Sequence, residues 1–495
     1  MSRALFWIFV LTCLTVFLDA SHLAKAMIVY PRLIETRNSD SELTLFINDD
    51  ITLSLQPADI FPDEFLLQYE EGETLVKEYI KGADLRNMVY YDKDQGAAVS
   101  LEQDDGLRVE GIIRDSQRIR PTVAMAEPDN KYIAHELFEV KEPFLNTEDN
   151  YFAAPDQEPV QLITQRSSQG TLLDEVHPEL YVLVDTHRQR NLTKKINAAK
   201  YAAIYVAAAN IRYSFMTNPR VKLRLCAVKI MSNKLKRRLY HFLYDKTSKY
   251  LEVNATVHQL VEEAKHAEYQ SFDIVVLLTE LELAVQRGGT VDTSPQGLGF
   301  TGFACTQYRV GIVQDNGLIL QALTTFAHEI GHILGCPHDG NPPPKHLPNA
   351  PGSQTCSSDQ GFVMSATVVL KHNENIYRLS NCCEANIRHV LTNPLFACLL
   401  TDTNTVTEDP RLPGDFISAN DTCRKALQDY NISGGFYDPA DKRNLMKYCI
   451  LSCETSPNEN GTFWVANVTA PDGTPCDNKT KKTKKRKVCK AEKCV

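Results

Sequence analysis

Residues 328–339 read His-Glu-Ile-Gly-His-Ile-Leu-Gly-Cys-Pro-His-Asp, and this stretch limits the fold more than any other. His328 and His332 are four apart, so on an α-helix both imidazoles project from the same face. Leu318 to Leu334 has the amphipathic spacing that supplies such a helix, and Gly335 permits the left-handed turn that ends it. The chain then reverses, and His338 can approach from the other side. Three neutral imidazoles form a zinc set that leaves one tetrahedral position open for water. Glu329, directly after the first histidine, is placed as the general base toward that water. A structural zinc site would normally carry four protein ligands and have no need of Glu329. The pattern therefore predicts metal-assisted peptide hydrolysis, with His328, His332 and His338 as zinc ligands and Glu329 as the base.

The surrounding sequence alternates strand and helix patterns. Leu180–Val184, Val221–Met231, Phe272–Thr279 and Tyr308–Val313 read as strands. Thr193–Met216, rich in alanine and stopped by Asn218-Pro219, reads as a helix, as do Thr256–Tyr269 and Cys383–Leu391. Alternating elements of this kind predict an α/β sandwich over residues 177–400. Residues 21–170 differ: they are acidic, lack cysteine and carry short strand-like runs. Leu43–Ile47 and Ile51–Leu55, joined by Asn48-Asp49-Asp50, read as a hairpin. Asn146–Gly170 has the composition of a linker. Residues 401–495 form a small unit with six cysteines.

Several features agree on an extracellular setting. Arg3 followed by the apolar run Ala4–Leu18 is laid out as a secretory signal peptide, with cleavage after Ala20 or Ala26. That run is short for a membrane span, which takes about 20 residues. After Cys13 no cysteine appears until Cys226, and thirteen then follow, as in a disulfide-bonded secreted protein. Asn-x-Ser/Thr sequons stand at Asn191, Asn254, Asn420, Asn431, Asn460, Asn467 and Asn478. The net charge of −9 gives no reason to expect a nucleic-acid partner.

At this point the sequence resembles the metzincin zinc metalloproteases. Met364 in Gly361-Phe-Val-Met364-Ser-Ala matches the methionine turn of that group, which packs beneath the histidines without ligating. Asp339 after the third histidine is similar to the reprolysin branch. So is the run Gly297-Leu-Gly-Phe-Thr-Gly-Phe-Ala-Cys305, which there forms an edge strand that binds substrate in an extended pose. The resemblance covers residues 177–400. It implies a metzincin-type sandwich: a twisted, mostly parallel sheet with an antiparallel edge strand and a zinc-binding active-site helix. A β-rich pro-domain would precede it and a small disulfide-rich domain would follow. Tyr30-Pro-Arg-Leu and the following hairpin look most like the pro-regions of secreted tick salivary-gland metalloproteases. The tail's Pro471-Asp-Gly-Thr-Pro-Cys476 is similar to cysteine-rich modules of the thrombospondin-motif disintegrin metalloproteases.

The chain also departs from its relatives. Many reprolysin pro-regions hold a cysteine that caps the zinc, and residues 21–170 contain none. Any latency must then come from steric cover. The linker has no Arg-x-x-Arg site, and Arg166 is the candidate for an activation cut. The resemblance implies a Cys305–Cys398 bridge. Cys336, Cys356, Cys382 and Cys383 would form two more, with the pairing open, which leaves Cys226 over as a buried small hydrophobe. It also implies a structural Ca²⁺, for which Glu179 and Asp273 match two ligands. The next ligand position holds Thr401, with Asp402 beside it. Lys479–Lys487 carries seven positive charges and reads as a solvated loop, a docking patch for heparin-like glycans, or a processing site.

The expectation is a secreted zinc endopeptidase made as a proenzyme: signal peptide 1–20, pro-domain and linker 21–170, catalytic domain 177–400, cysteine-rich domain 401–495. The tick likeness implies fibrinogen, fibrin or matrix proteins as substrates. The alternative is a secreted binding protein that acts mainly through its basic, cysteine-rich tail, although the chain has no Arg-Gly-Asp triplet.

Overall fold

The architecture is taken from a computed structural model of the full chain. It describes residues 24–34, 43–72, 74–103, 106–114, 116–122, 132–140, 174–185, 195–245, 248–315, 320, 322–366 and 374–400. In the tail it describes 418–428, 432, 434–439, 445–457, 462–470, 474–476, 487–490 and 493–494. The signal peptide, the linker with Arg166, Thr401, Asp402, Lys479–Arg486 and the sequons at Asn191, Asn431, Asn460 and Asn478 lie outside the described residues. The chain divides into two compact units, residues 1–404 and 405–495.

The first unit is built on a seven-stranded sheet. Its strands in chain order are β1 (Glu64–Glu71), β2 (Thr74–Lys81), β3 (Glu179–Val184), β4 (Arg224–Ile230), β5 (Ile274–Thr279), β6 (Gly297–Gly299) and β7 (Val310–Gln314). They lie in the order β6-β7-β5-β3-β4-β1-β2. The central five strands run parallel, while β6 and β2 are antiparallel edges. Side chains alternate between two cores. Leu180, Val182 and Val184 of β3 face one cluster, and Tyr181 and Leu183 face the other. A strand buried on both faces must read as an unbroken apolar run, and this is why Leu180–Val184 was legible.

The longer helices of this unit are α1 (Ile196–Tyr213), α2 (Val253–Ala264), α3 (Leu323–Ile333) and α4 (Asn381–Thr392), and a shorter one, Asn233–Leu239, buries Leu235 and Leu239 in one of the two cores. The first three are shorter than their sequence patterns, and α4 extends beyond Cys383–Leu391 at both ends. The run Val221–Met231 is two strands, because Arg220–Val221 pairs with Glu175–Val176 before β4 begins. A small sheet of Phe242–Tyr244, Lys249–Glu252, Leu283–Arg287 and Thr290–Asp292 was not foreseen. Its strands are short and half-exposed, with too few residues to establish a period.

The leading segment builds a nine-stranded antiparallel sheet from residues 24–139, with the foreseen hairpin as Leu43–Asn48 paired to Ile51–Pro57. The segment is not confined to that sheet. Its β1–β2 hairpin, inserted between the neighbouring strands Ile51–Pro57 and Val89–Asp92, leaves it and completes the seven-stranded sheet. The alanines of α1 lie between the two sheets: Ala199, Ala202 and Ala203 share a core with Ala98, Val89 and Ile112. Small side chains allow this close approach on two sides of one helix.

The second unit holds a helix, Ala419–Gln428, and a three-stranded sheet of Phe436–Tyr437, Ile450–Glu454 and Val465–Thr469. Three disulfides, Cys423–Cys453, Cys449–Cys489 and Cys476–Cys494, form most of its core. Among the described residues no helix is long and apolar enough to cross a membrane.

Candidate metal centre

Helix α3 carries His328, Glu329 and His332, all buried. Its C-terminus closes with two hydrogen bonds: Gly335 N–H to His332 O at 2.8 Å and Cys336 N–H to Gly331 O at 3.0 Å. This is a Schellman motif, which needs a left-handed residue at its turn. Gly335 supplies it at φ 112°, and a Cβ there would also sit 2.5 Å from Val390 Cγ2. The turn sends the chain back toward His338.

The three imidazoles converge. His338 Nε2 lies 3.0 Å from His328 Nε2 and 3.1 Å from His332 Nε2. On the opposite sides, His328 Nδ1 donates to Val363 O and His332 Nδ1 to Cys336 O, each at 2.7 Å. A carbonyl can only accept, so both protons sit on Nδ1 and both Nε2 atoms present lone pairs. His338 can offer one hydrogen at most, so two lone pairs would face each other without a proton between them. A cation at the centre resolves that conflict. The spacings lie near the ~3.3 Å separation of donors that bind Zn²⁺ tetrahedrally at about 2.0 Å. Burial holds the imidazoles neutral, the form that binds metal: His328 is pushed down to about 4 and His338 to about 3. His332 is pushed well below the usual histidine range by the same cause. The donor set fits zinc.

Glu329 points toward the edge strand. A Cβ on Gly297 would lie 2.6 Å from Glu329 Oε1, and one on Gly299 would lie 2.6 Å from Glu329 O and 3.2 Å from Oε2. Both glycines therefore open the space that the carboxylate occupies against β6. Gly331 does the same beneath the helix: a Cβ there would meet Met364 Sδ at 2.6 Å. Met364 is fully buried, with its Sδ packed against Gly331 of that helix.

Other contacts around the site were not legible in the sequence. Tyr213 donates to Ala327 O at 2.8 Å and so ties α1 to the active-site helix. Thr301 Oγ1 lies 3.4 Å from His332 Nδ1. Asp339 N–H donates to Met364 O, and Ser380, which caps α4, donates to Asp339 Oδ1 at 2.5 Å. Asp339 thus joins the third-histidine turn, the methionine turn and α4, and burial pushes its carboxyl up to about 6. The Gly-x-Gly spacing at 297–299 and the glycine inside the helix motif were the available signals for close packing.

The disulfides reinforce this frame. Cys305 pairs with Cys398, Cys336 with Cys383 and Cys356 with Cys382, and Cys226, buried outside these bridges, points its thiol at Arg224 O at 3.6 Å. Glu179 and Asp273 meet, with Glu179 N–H donating to Asp273 Oδ2 at 3.0 Å. Arg309 lies beside Asp273 as a counter-charge from the chain itself. The other positions expected in the Ca²⁺ set, Thr401 and Asp402, lie outside the described residues.

Comparison with known proteins locates the same region. Residues 199–339, from α1 through Asp339, match the family model described as metallo-peptidase family M12B, reprolysin-like. A Bombyx mori protein named as like a disintegrin and metalloproteinase with thrombospondin motifs is 26% identical over 323 residues, 61% of this chain and 43% of that protein. The venom metalloproteinase BumaMPs1 of Olivierus martensii is 26% identical over 379 residues, 74% of this chain and 90% of its own length. The venom metalloproteinase antarease TserMP_A of Tityus serrulatus is 24% identical over 397 residues, 76% of this chain and 93% of its own length. The chain therefore spans less than half of the first of these proteins and most of the other two.

Proposed function

We propose that this chain, which belongs to the reprolysin-type metzincin zinc metalloendopeptidases, is a secreted proenzyme whose mature form cleaves extracellular proteins. The convergence of three Nε2 atoms at 3.0 and 3.1 Å, with Glu329 directly after the first of these histidines in the chain, is the observation that carries this reading.

His328, His332 and His338 would hold Zn²⁺, which when bound supplies Lewis acidity toward the scissile carbonyl and acidifies water. Glu329 accepts the proton of the attacking water and returns it to the leaving amine. Gly297 and Gly299 leave its carboxylate room along β6. The outer side of β6 is a sheet edge, which suits an extended peptide bound through its backbone. Met364 and the Val363 and Cys336 carbonyls keep the imidazoles in place.

The venom relatives and the tick-like leading motifs support secretion and substrates such as fibrinogen, fibrin or matrix proteins. The test is cleavage of fibrinogen and gelatin by the purified protein, before and after cutting the linker, beside Glu329→Ala and with a zinc chelator. Activity lost in both the mutant and the chelated sample is expected. Cleavage that persists in Glu329→Ala refutes the mechanism. Zinc bound at one equivalent without any cleavage refutes the substrate assignment.

A further inference from the structure

The β1–β2 hairpin lies in the segment that a proenzyme would discard, yet it has the environment of a core element. Strand β1 pairs in parallel with β4 in the register Leu66↔Ala227, Leu67↔Val228 and Gln68↔Lys229. Phe65 and Leu67 are buried in the cluster that holds Val182 and Val228, while Leu66 packs against the opposite cluster. Gln68 is fully buried and accepts a hydrogen bond from the Tyr181 hydroxyl of β3. Strand β1 thus alternates between the two cores as the central strands do.

The rest of the leading segment is anchored to the same unit. Leu225 N–H donates to Ile60 O, and Lys222 pairs with Asp59. Lys200 of α1 pairs with Glu102. Arg118, buried in the leading sheet, donates to Leu320 O just before α3. Interfaces within a chain that domains can leave are polar and modest in area. This one instead shares its apolar core, as obligate subunit interfaces do.

We propose that residues 64–81 remain the terminal strands of the catalytic sheet after the linker is cut, so that the mature enzyme is two non-covalently joined chains. The free edge of β4 is then an interaction surface, and its occupant is the chain's own leading segment. This deepens the proenzyme reading, because it describes what linker cleavage produces.

The test uses the full chain carrying Glu329→Ala against self-digestion, with a site for a sequence-specific protease placed between residues 150 and 165. After complete cutting, gel filtration in native buffer should give one peak with both fragments in equal amount. They should separate only in denaturant. Hydrogen exchange of the Val228 and Gln68 amides, which face each other's strand across the β1–β4 ladder, should be unchanged by the cut. A leading fragment that elutes alone overturns the proposal, as does exchange at those amides accelerated a hundredfold or more. Because the cut is engineered, the proposal stands even if no natural linker cleavage is found, an outcome that removes only the proenzyme reading.

Discussion

Gly299→Ala tests how closely the edge strand must approach the active-site helix. The added Cβ would lie 2.6 Å from the backbone oxygen of Glu329, about 0.8 Å inside the 3.4 Å of ordinary contact. The obstruction is main chain, so no rotamer change can relieve it, and β6 and α3 must separate by most of that distance. Overpacking of this kind costs about 1–3 kcal/mol. Misplacing a catalytic group by ~1 Å can lower the rate by about a hundredfold. The expectation is a kcat/KM lowered about 10- to 100-fold on a fluorogenic peptide, with zinc content unchanged by atomic absorption. Gly331→Ala provides the contrast. Its Cβ would meet Met364 Sδ at a similar 2.6 Å, but that atom belongs to a flexible side chain. The helix also gains about 1 kcal/mol when alanine replaces glycine. Its losses in Tm and activity should therefore be the smaller of the two. Wild-type kcat/KM in Gly299→Ala, or a heavier loss in Gly331→Ala, would refute the reasoning.

Other outcomes follow from the same geometry. Glu329→Ala should bind zinc at one equivalent and lose about 10²- to 10⁴-fold in kcat, read by metal analysis and peptide hydrolysis. Gly335→Ala combines a φ of 112° with a clash on Val390 and should destabilise unit 1 by about 2–4 kcal/mol in urea titration. Replacing Cys336 and Cys383 together by serine should lower stability by about 2–4 kcal/mol and weaken zinc retention during dialysis against chelator, because Cys336 O orients His332. Burial lowers the pKa of His135, whose Nε2 accepts from Val109 N–H and whose Nδ1 donates to Ile133 O. A base with a depressed folded pKa contributes stability that is complete above the unfolded value of 6.5. That contribution is lost as pH falls from 6.5 toward the folded value. His135→Gln should remove this part of the slope in melts between pH 7 and pH 5.

The sequence made local chemistry legible and long-range pairing illegible. His328, His332, Gly335 and His338 constrain one another through helix period and turn geometry, so the triad could be read from twelve residues. Strand β3 was legible because both its faces are buried. Strand β1 was not read as part of that sheet, because nothing in Glu64–Glu71 names a partner about 160 residues away. The bridges of Cys382 and Cys383 stayed open for a related reason. Neighbouring cysteines are equivalent in a sequence, and they are told apart only when α4 turns Cys383 toward Cys336 and Cys382 toward Cys356. The glycines at 297, 299 and 331 were visible as letters, but the carboxylate and the sulfur that need their space belong to other elements.

The shared sheet also imposes an order on biosynthesis. Leu66 and Leu67 are made first, and their partners Ala227 and Val228 follow about 160 residues later. At about 5–20 residues per second, that strand waits roughly 10–30 s for its neighbour. During that interval an apolar strand edge is exposed on the nascent chain, open to wrong partners. Chaperones that bind extended apolar segments should therefore engage residues 64–71 early and release them once β4 has emerged.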